Sequence, residues 1–131
     1  MPKPPAGPAP ELTALLAMDR VELAADVFVQ AFTPVIDEPY PRTSHLAWTV
    51  AGITSVPLGR WGLDTDKPND GAIARLVAEL TVLWERADLA ARGVYHDGTG
   101  IVLLFRGEEL LRGDDARGAI AAALHAANPP R

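Results

Sequence analysis

Three histidines are the side chains that a catalytic or metal site would most readily use. They are His45, His96 and His125, and none stands four residues from another, the spacing that puts two imidazoles on one helix face. His96 precedes Asp97, so this pair, together with His45, is the candidate for proton transfer or metal binding. Neighbouring residues on a strand point to opposite faces, so His96 and Asp97 would not chelate one ion together. We interpret them as surface residues beside a turn.

Three other sequence patterns that would indicate a binding or catalytic site do not fit the residues of this chain. The stretch from Asp64 to Gly71 has the composition of a calcium loop, but Pro68 occupies a ligand position in both possible registers. The glycines match neither phosphate-binding fingerprint, and Ser44 and Ser55 do not form a nucleophile elbow. The sequence therefore predicts no metal and no cofactor, and it leans away from an enzyme.

The composition of the chain limits the kinds of fold and partner that we expect for it. The 131 residues are 48% hydrophobic, which predicts one domain over residues 10–128, between a proline-rich arm (1–9) and a short tail (129–131). The absence of cysteine excludes disulfides and suits a reducing cytoplasm, and no apolar run reaches the roughly 18 residues of a membrane span. The net charge of −5 argues against nucleic-acid binding through a basic surface. Residue usage rich in alanine and arginine suggests a bacterial or phage protein.

Three segments show the 3.6-residue period of amphipathic helices: 10–32, 70–92 and 114–127. The second is the most regular, and the first offers the apolar face that it needs as a partner. Because Asp19 begins a capping box, the first segment is either one long helix or two helices that meet near Asp19.

Capping residues give the predicted ends of these helices. Asp70 is the expected N-cap of the second helix, and Gly93 is the expected left-handed residue that closes it. The third helix is expected to start at Asp114 or Asp115 and to stop before Pro129.

Two segments indicate strands. Asp97-Gly98 marks a hairpin turn within 93–105, and the run from Ile101 to Phe105 reads as a strand covered on both faces. In 46–58, alternation and β-branched residues favour strands, and Gly52 and Pro57 count against one helix. Helical spacing fits the same segment through three residues: Leu46, Val50 and Ile53. We prefer strands there, which predicts an α+β fold of three helices packed on a small, mostly antiparallel sheet.

These features favour a non-enzymatic protein–protein interaction or assembly module, either a homodimer or a subunit of a larger complex. The expected contact residues are aromatic: Tyr40, Trp48, Trp61 and Tyr95. An alternative is a small-ligand binder or enzyme that uses the neighbourhood of His96. We expect Trp61 to anchor on the core.

Two resemblances concern the order of elements. Residues 72–112 run helix, glycine, hairpin and then Arg106-Gly107, an order that resembles the recognition helix, wing and linker helix of winged-helix regulators and implies DNA binding. The segment from Arg75 to Arg117, however, contains six arginines and eight acidic residues, so nucleic acid is the less expected partner. The whole order is also similar to that of small acidic secretion chaperones, which commonly dimerise.

Overall fold

A computed structural model describes residues 8–58, 63–64, 66–95 and 98–130. In these residues the fold is mixed helix and sheet, with six α-helices and one two-stranded antiparallel sheet. The elements, in chain order, are α1 (Pro10–Leu16), α2 (Arg20–Phe32), a 3₁₀ turn (Thr33–Val35), α3 (Thr43–Thr54), α4 (Pro68–Arg86), β1 (Ala90–Tyr95), β2 (Gly98–Leu103), α5 (Phe105–Leu111) and α6 (Ala116–Ala127).

The first predicted helix is two helices that meet at Asp19. Its carboxylate accepts a hydrogen bond of 2.9 Å from the amide of Glu22, so the capping residue is confirmed. Pro10 stands in the first turn of α1, where its missing amide costs nothing. The amide of Ala9 donates to Asn69 Oδ1 at 2.7 Å, which ties the chain before α1 to the start of α4.

The prediction of strands over 46–58 is wrong, because most of this segment lies in α3. Gly52 is tolerated inside the helix since it faces open space. Pro57 does not interrupt the helix, which has already ended at Ser55, a residue in the left-handed conformation with φ 57°. The helical spacing of the apolar residues is what the fold uses, and it buries Leu46 and Val50.

α4 lies close to its predicted place, but both predicted caps are wrong. Lys67 is the N-cap residue and makes no side-chain cap, while Pro68 fills the first turn. Asp70 is buried, and its carboxylate accepts instead from the amide of Asp64 at 2.9 Å. After the helix the left-handed residue is Asp88, with φ 59°, and not Gly93, which lies inside β1.

The hairpin is confirmed, with β1 and β2 paired from Ala90↔Leu103 to Tyr95↔Gly98. The expected turn residue Asp97 lies outside the described residues. On its other edge β2 pairs with residues 39–42, since the amides of Ile101 and Leu103 donate to the carbonyls of Pro41 and Pro39 at 3.1 and 2.9 Å. β2 is therefore the central strand, and β1 is an edge strand.

The expected strand from Ile101 to Phe105 is shorter than predicted. β2 ends at Leu103, and Phe105 opens α5 with 92% of its surface exposed, so it is not covered on both faces. α6 follows at Ala116 after Asp115, whose carboxylate accepts from the amide of Gly118 at 3.1 Å. Asp115 is thus confirmed as the cap of the last helix.

The core is built around α2, which packs against α3, α4 and α6. Trp84 of α4 is fully buried and meets the rings of Phe28 and Phe32 edge-on, at centroid distances of 5.6 and 5.7 Å. Its indole N–H donates to the Ala24 carbonyl at 3.0 Å. The predicted packing of the first helical segment on α4 is confirmed. Among the described residues, no helix combines the length and apolar character needed to cross a membrane.

Candidate interaction surfaces

The predicted histidine site is only partly within the described structure. His45 is exposed in the first turn of α3, where its carbonyl accepts a hydrogen bond from the Thr49 hydroxyl at 3.1 Å. His96 and Asp97 lie outside the described residues. Whether these groups meet for proton transfer or metal binding stays a hypothesis.

Two of the four predicted aromatic contact residues are described with their side chains. Trp48 on α3 is 47% exposed and Tyr40, ahead of α3, is 54% exposed. Trp61 and the side chain of Tyr95 lie outside the described residues, so the expectations for them are untested. The structure therefore places one predicted residue, Trp48, on a regular element with its side chain half in solvent.

α3 is unusual because its twelve residues include no Asp, Glu, Lys or Arg. Its inner face is buried through Leu46, Ala47, Val50, Ala51 and Thr54. Its outer face carries Trp48 and, one turn later, Gly52, whose Cα has open space around it. Surface helices normally put charged residues on the outer face, so the solvent-facing side of α3, where His45 is also exposed, lacks the usual charged residues.

A shallow groove of about 710 Å³ lies between α1 and the end of α3. Four apolar side chains line it, those of Ala14, Leu15, Met18 and Ile53, and the rest of the lining is Glu11, Thr54 and Ser55. Met18 is itself exposed. Sequence reasoning missed this groove, because it depends on how α1 folds back on α3. The only sequence signal was the absence of charge in 43–54.

A charged network joins α2 to α6 on another part of the surface. Arg117 Nε donates to Asp26 Oδ1 at 2.7 Å, and His125 Nε2 lies 2.9 Å from Glu22 Oε2. The hydrogen bond from His125 is the largest cause of the lowered pKa of Glu22; burial opposes it, and the charge of Arg117 adds a further lowering. The hydrogen bond with Asp26 raises the pKa of Arg117, so its guanidinium stays charged.

This network includes three groups that a divalent cation could use: Asp19, Glu22 and His125 have ligand atoms within 4.8 Å of one another. The guanidinium of Arg117 lies 3.5 Å from the same Glu22 carboxylate, and the Asp19 carboxylate already accepts the Glu22 amide. Because the Arg117 guanidinium already supplies a positive charge beside the Glu22 carboxylate, we interpret the cluster as a junction between α2 and α6. His125 is half-exposed and part of this junction.

The third surface feature is the outer edge of β1. The amides of Ile101 and Leu103 face residues 39–42. The residues of β2 that alternate with them, Gly100 and Val102, therefore face β1 and form hydrogen-bonded pairs with Gly93 and Ala91. The backbone groups of Arg92 and Val94 point the other way.

In the described part of the chain no backbone segment pairs with that edge, and the Val94 side chain is 85% exposed. Sequence reasoning missed this edge because it assigned residues 90–92 to the helix.

Comparisons with known proteins give no relative for this chain: no protein-family model, curated protein or solved structure matches it.

Proposed function

We propose that this protein is a non-enzymatic protein–protein interaction or assembly module, and that the outer face of α3 around Trp48 contacts the partner. The observation that carries the proposal is a twelve-residue helix without a charged side chain that holds a half-exposed tryptophan. Buried contacts between proteins are enriched in aromatic residues and poor in charged ones. Tryptophan is also among the residues whose truncation costs most binding energy.

The groove beside α3 supports the same proposal. Its apolar lining includes the exposed Met18, and a flexible thioether adapts to the shape of a partner side chain. Glu11 stands at its rim. An apolar centre with a polar rim is the usual anatomy of a protein interface.

The test is affinity capture from the source organism with three forms of the full chain. Wild type and Val82→Glu, which adds the same charge at an exposed site on α4, are expected to capture the same partner. Trp48→Glu is expected to lose it, because a carboxylate cannot be desolvated cheaply in an apolar contact. Circular dichroism confirms that both variants fold. A wild-type chain that recovers no partner and stays monomeric at high concentration overturns the proposal, as does a partner that Trp48→Glu retains.

A second candidate is a winged-helix-like DNA-binding regulator, and one observation favours it. The chain runs α2, residues 39–42, α3, α4, β1 and β2, with β2 between the other two extended segments. In that reading α4 is the recognition helix and the hairpin is the wing. A cleft of about 440 Å³ at the start of α4 is lined in part by Lys67 and Arg75.

Fluorescence anisotropy with random duplex DNA at low salt tests this second candidate. If it holds, Lys67→Glu and Arg75→Glu each weaken binding and lower its salt dependence, because each removes a phosphate contact. The absence of binding by the wild-type chain would end it. The acidic net charge of −5 makes it the second choice.

A further inference from the structure

The outer edge of β1 holds four backbone groups aimed at solvent. They are the N–H and C=O of Arg92 and of Val94, since the intervening Gly93 faces β2. An edge of this kind is a template for another strand.

Most natural edge strands carry a device that prevents pairing, such as a proline, a bulge or an inward-pointing charge. β1 reads Ala-Ala-Arg-Gly-Val-Tyr, pairs with β2 without a bulge, and has one charged residue, Arg92. That side chain is paired within its own chain, where Arg92 Nε lies 3.3 Å from Glu85 Oε1, but it keeps its charge at the surface because 67% of it is exposed.

We propose that a second copy of this chain pairs antiparallel with β1, about a two-fold axis that passes through Gly93. In this register Arg92 lies opposite Val94 of the second copy, and Val94 lies opposite Arg92 of the second copy. The N–H and C=O groups of both residues in each chain then form hydrogen bonds across the two-fold axis. Gly93 meets its own copy at the non-hydrogen-bonded position, where the Cα atoms approach to about 4.5 Å. A residue without a side chain suits that position.

Charge selects this register over its neighbours. A shift of the axis to Arg92 would place two guanidinium groups directly opposite each other, which is destabilising. A shift to Val94 would leave Val94 as the only hydrogen-bonded residue within the described part of β1. In the register through Gly93, the aliphatic stem of Arg92 covers Val94 of the second copy, a side chain that is 85% exposed in one chain alone.

The size of the contact predicts a weak dimer. Stable interfaces bury about 1,200–2,000 Å² in total, and two five-residue strand edges cover only part of that. We therefore expect a weak dimer that forms at high local concentration, within a tested range of about 10 to 1,000 µM.

Amide hydrogen exchange measured by NMR across that range of concentration tests the proposal residue by residue. The amides of Arg92 and Val94 are expected to gain protection as the chain dimerises. The amides of Ala91 and Gly93 bond to β2 and should be protected at every concentration, which makes them the internal control.

Sedimentation equilibrium of three variants tests the same edge. Val94→Pro removes an outward amide and Val94→Lys adds a charge, and each should raise the dissociation constant about tenfold or more. Thr99→Pro removes an outward amide on the other side of the hairpin, so it should dimerise as the wild type does. The two-dimensional NMR spectrum of each variant shows whether it is folded.

Two results overturn the proposal: a wild-type chain that stays monomeric at 1 mM, or a dimer in which the Arg92 and Val94 amides stay unprotected. Protection of this edge only in the presence of a different protein would assign it to a foreign strand and also overturn the second copy as occupant. The proposal goes beyond the Trp48 contact and does not depend on it, because Val94 variants leave α3 unchanged.

Discussion

A close approach between α5 and the backbone ahead of β1 gives a sharp test of the structure. Gly107 of α5 lies against the carbonyl of Leu89, and a Cβ at this position would overlap that oxygen and would stand 3.0 Å from both Phe28 and Leu103. The oxygen belongs to the backbone and already accepts the amide of Leu104 at 3.0 Å. Gly107→Ala must therefore shift α5 away from the start of the hairpin.

The expected magnitude follows from three contributions. Overpacking a filled site costs about 1–3 kcal/mol, and weakening the bond from Leu104 to Leu89 adds about 0.5–1.5 kcal/mol. Alanine regains at most about 1 kcal/mol over glycine in a helix. We expect Gly107→Ala to lower the free energy of unfolding by about 0.5–4.5 kcal/mol.

Gly52→Ala is the matched control, because it makes the same chemical change inside α3 where nothing lies within 4 Å of the added Cβ. It should raise the free energy of unfolding by about 0.5–1 kcal/mol through the loss of glycine's flexibility in the unfolded chain. Urea titration followed by circular dichroism measures both values. Changes of the same sign, or a Gly107→Ala protein as stable as the wild type, would refute the packing described here.

Three further changes test the core, a cap and the charged network. Trp84→Phe removes the indole N–H that donates to the Ala24 carbonyl, which keeps its helical donor, and should cost about 0.5–1.5 kcal/mol in urea titration for the lost hydrogen bond alone; an unchanged midpoint would contradict that bond. Asp19→Ala removes the cap of α2 and should cost about 0.5–2 kcal/mol, whereas Asp19→Asn should cost much less. The lowered pKa of Glu22 means that its ionised form stabilises the fold above the ordinary value of 4.5, and that this stability is lost as the pH falls through the lowered pKa. His125→Ala should raise the Glu22 pKa in an NMR titration of its carboxyl carbon, and an unmoved titration would show that the imidazole is not its partner.

The sequence predicts those parts of the fold whose signals are local. Asp19 and Asp115 mark helix starts because a short carboxylate can reach free amides of the next turn, whatever the rest of the chain does. The hairpin over β1 and β2 is likewise marked by its own turn residues. These elements follow from bonds that span about three residues, so no tertiary information is needed to place them.

The sequence fails where two local patterns are both possible and packing chooses between them. Residues 46–58 fit both periods, and the helix is favoured because α3 can bury Leu46 and Val50 against α2 and α4 while Gly52 faces open space. Asp88 carries no signal that it will adopt a left-handed conformation. Without that signal the apolar residues of β1 continue the period of α4, which hides the free edge of the sheet.

Exposure is the property that composition cannot give, and both proposals depend on it. Trp48, Val94 and Phe105 are all apolar residues of regular elements, yet all three are substantially exposed. Residues 39–42 cover one edge of β2 and lead directly into α3, whereas the free edge of β1 faces away from them. A chain paired through β1 therefore keeps Trp48 available. A two-fold dimer would then present two copies of the α3 face, and a partner with two binding sites would bind it more tightly than a single chain without any new contact.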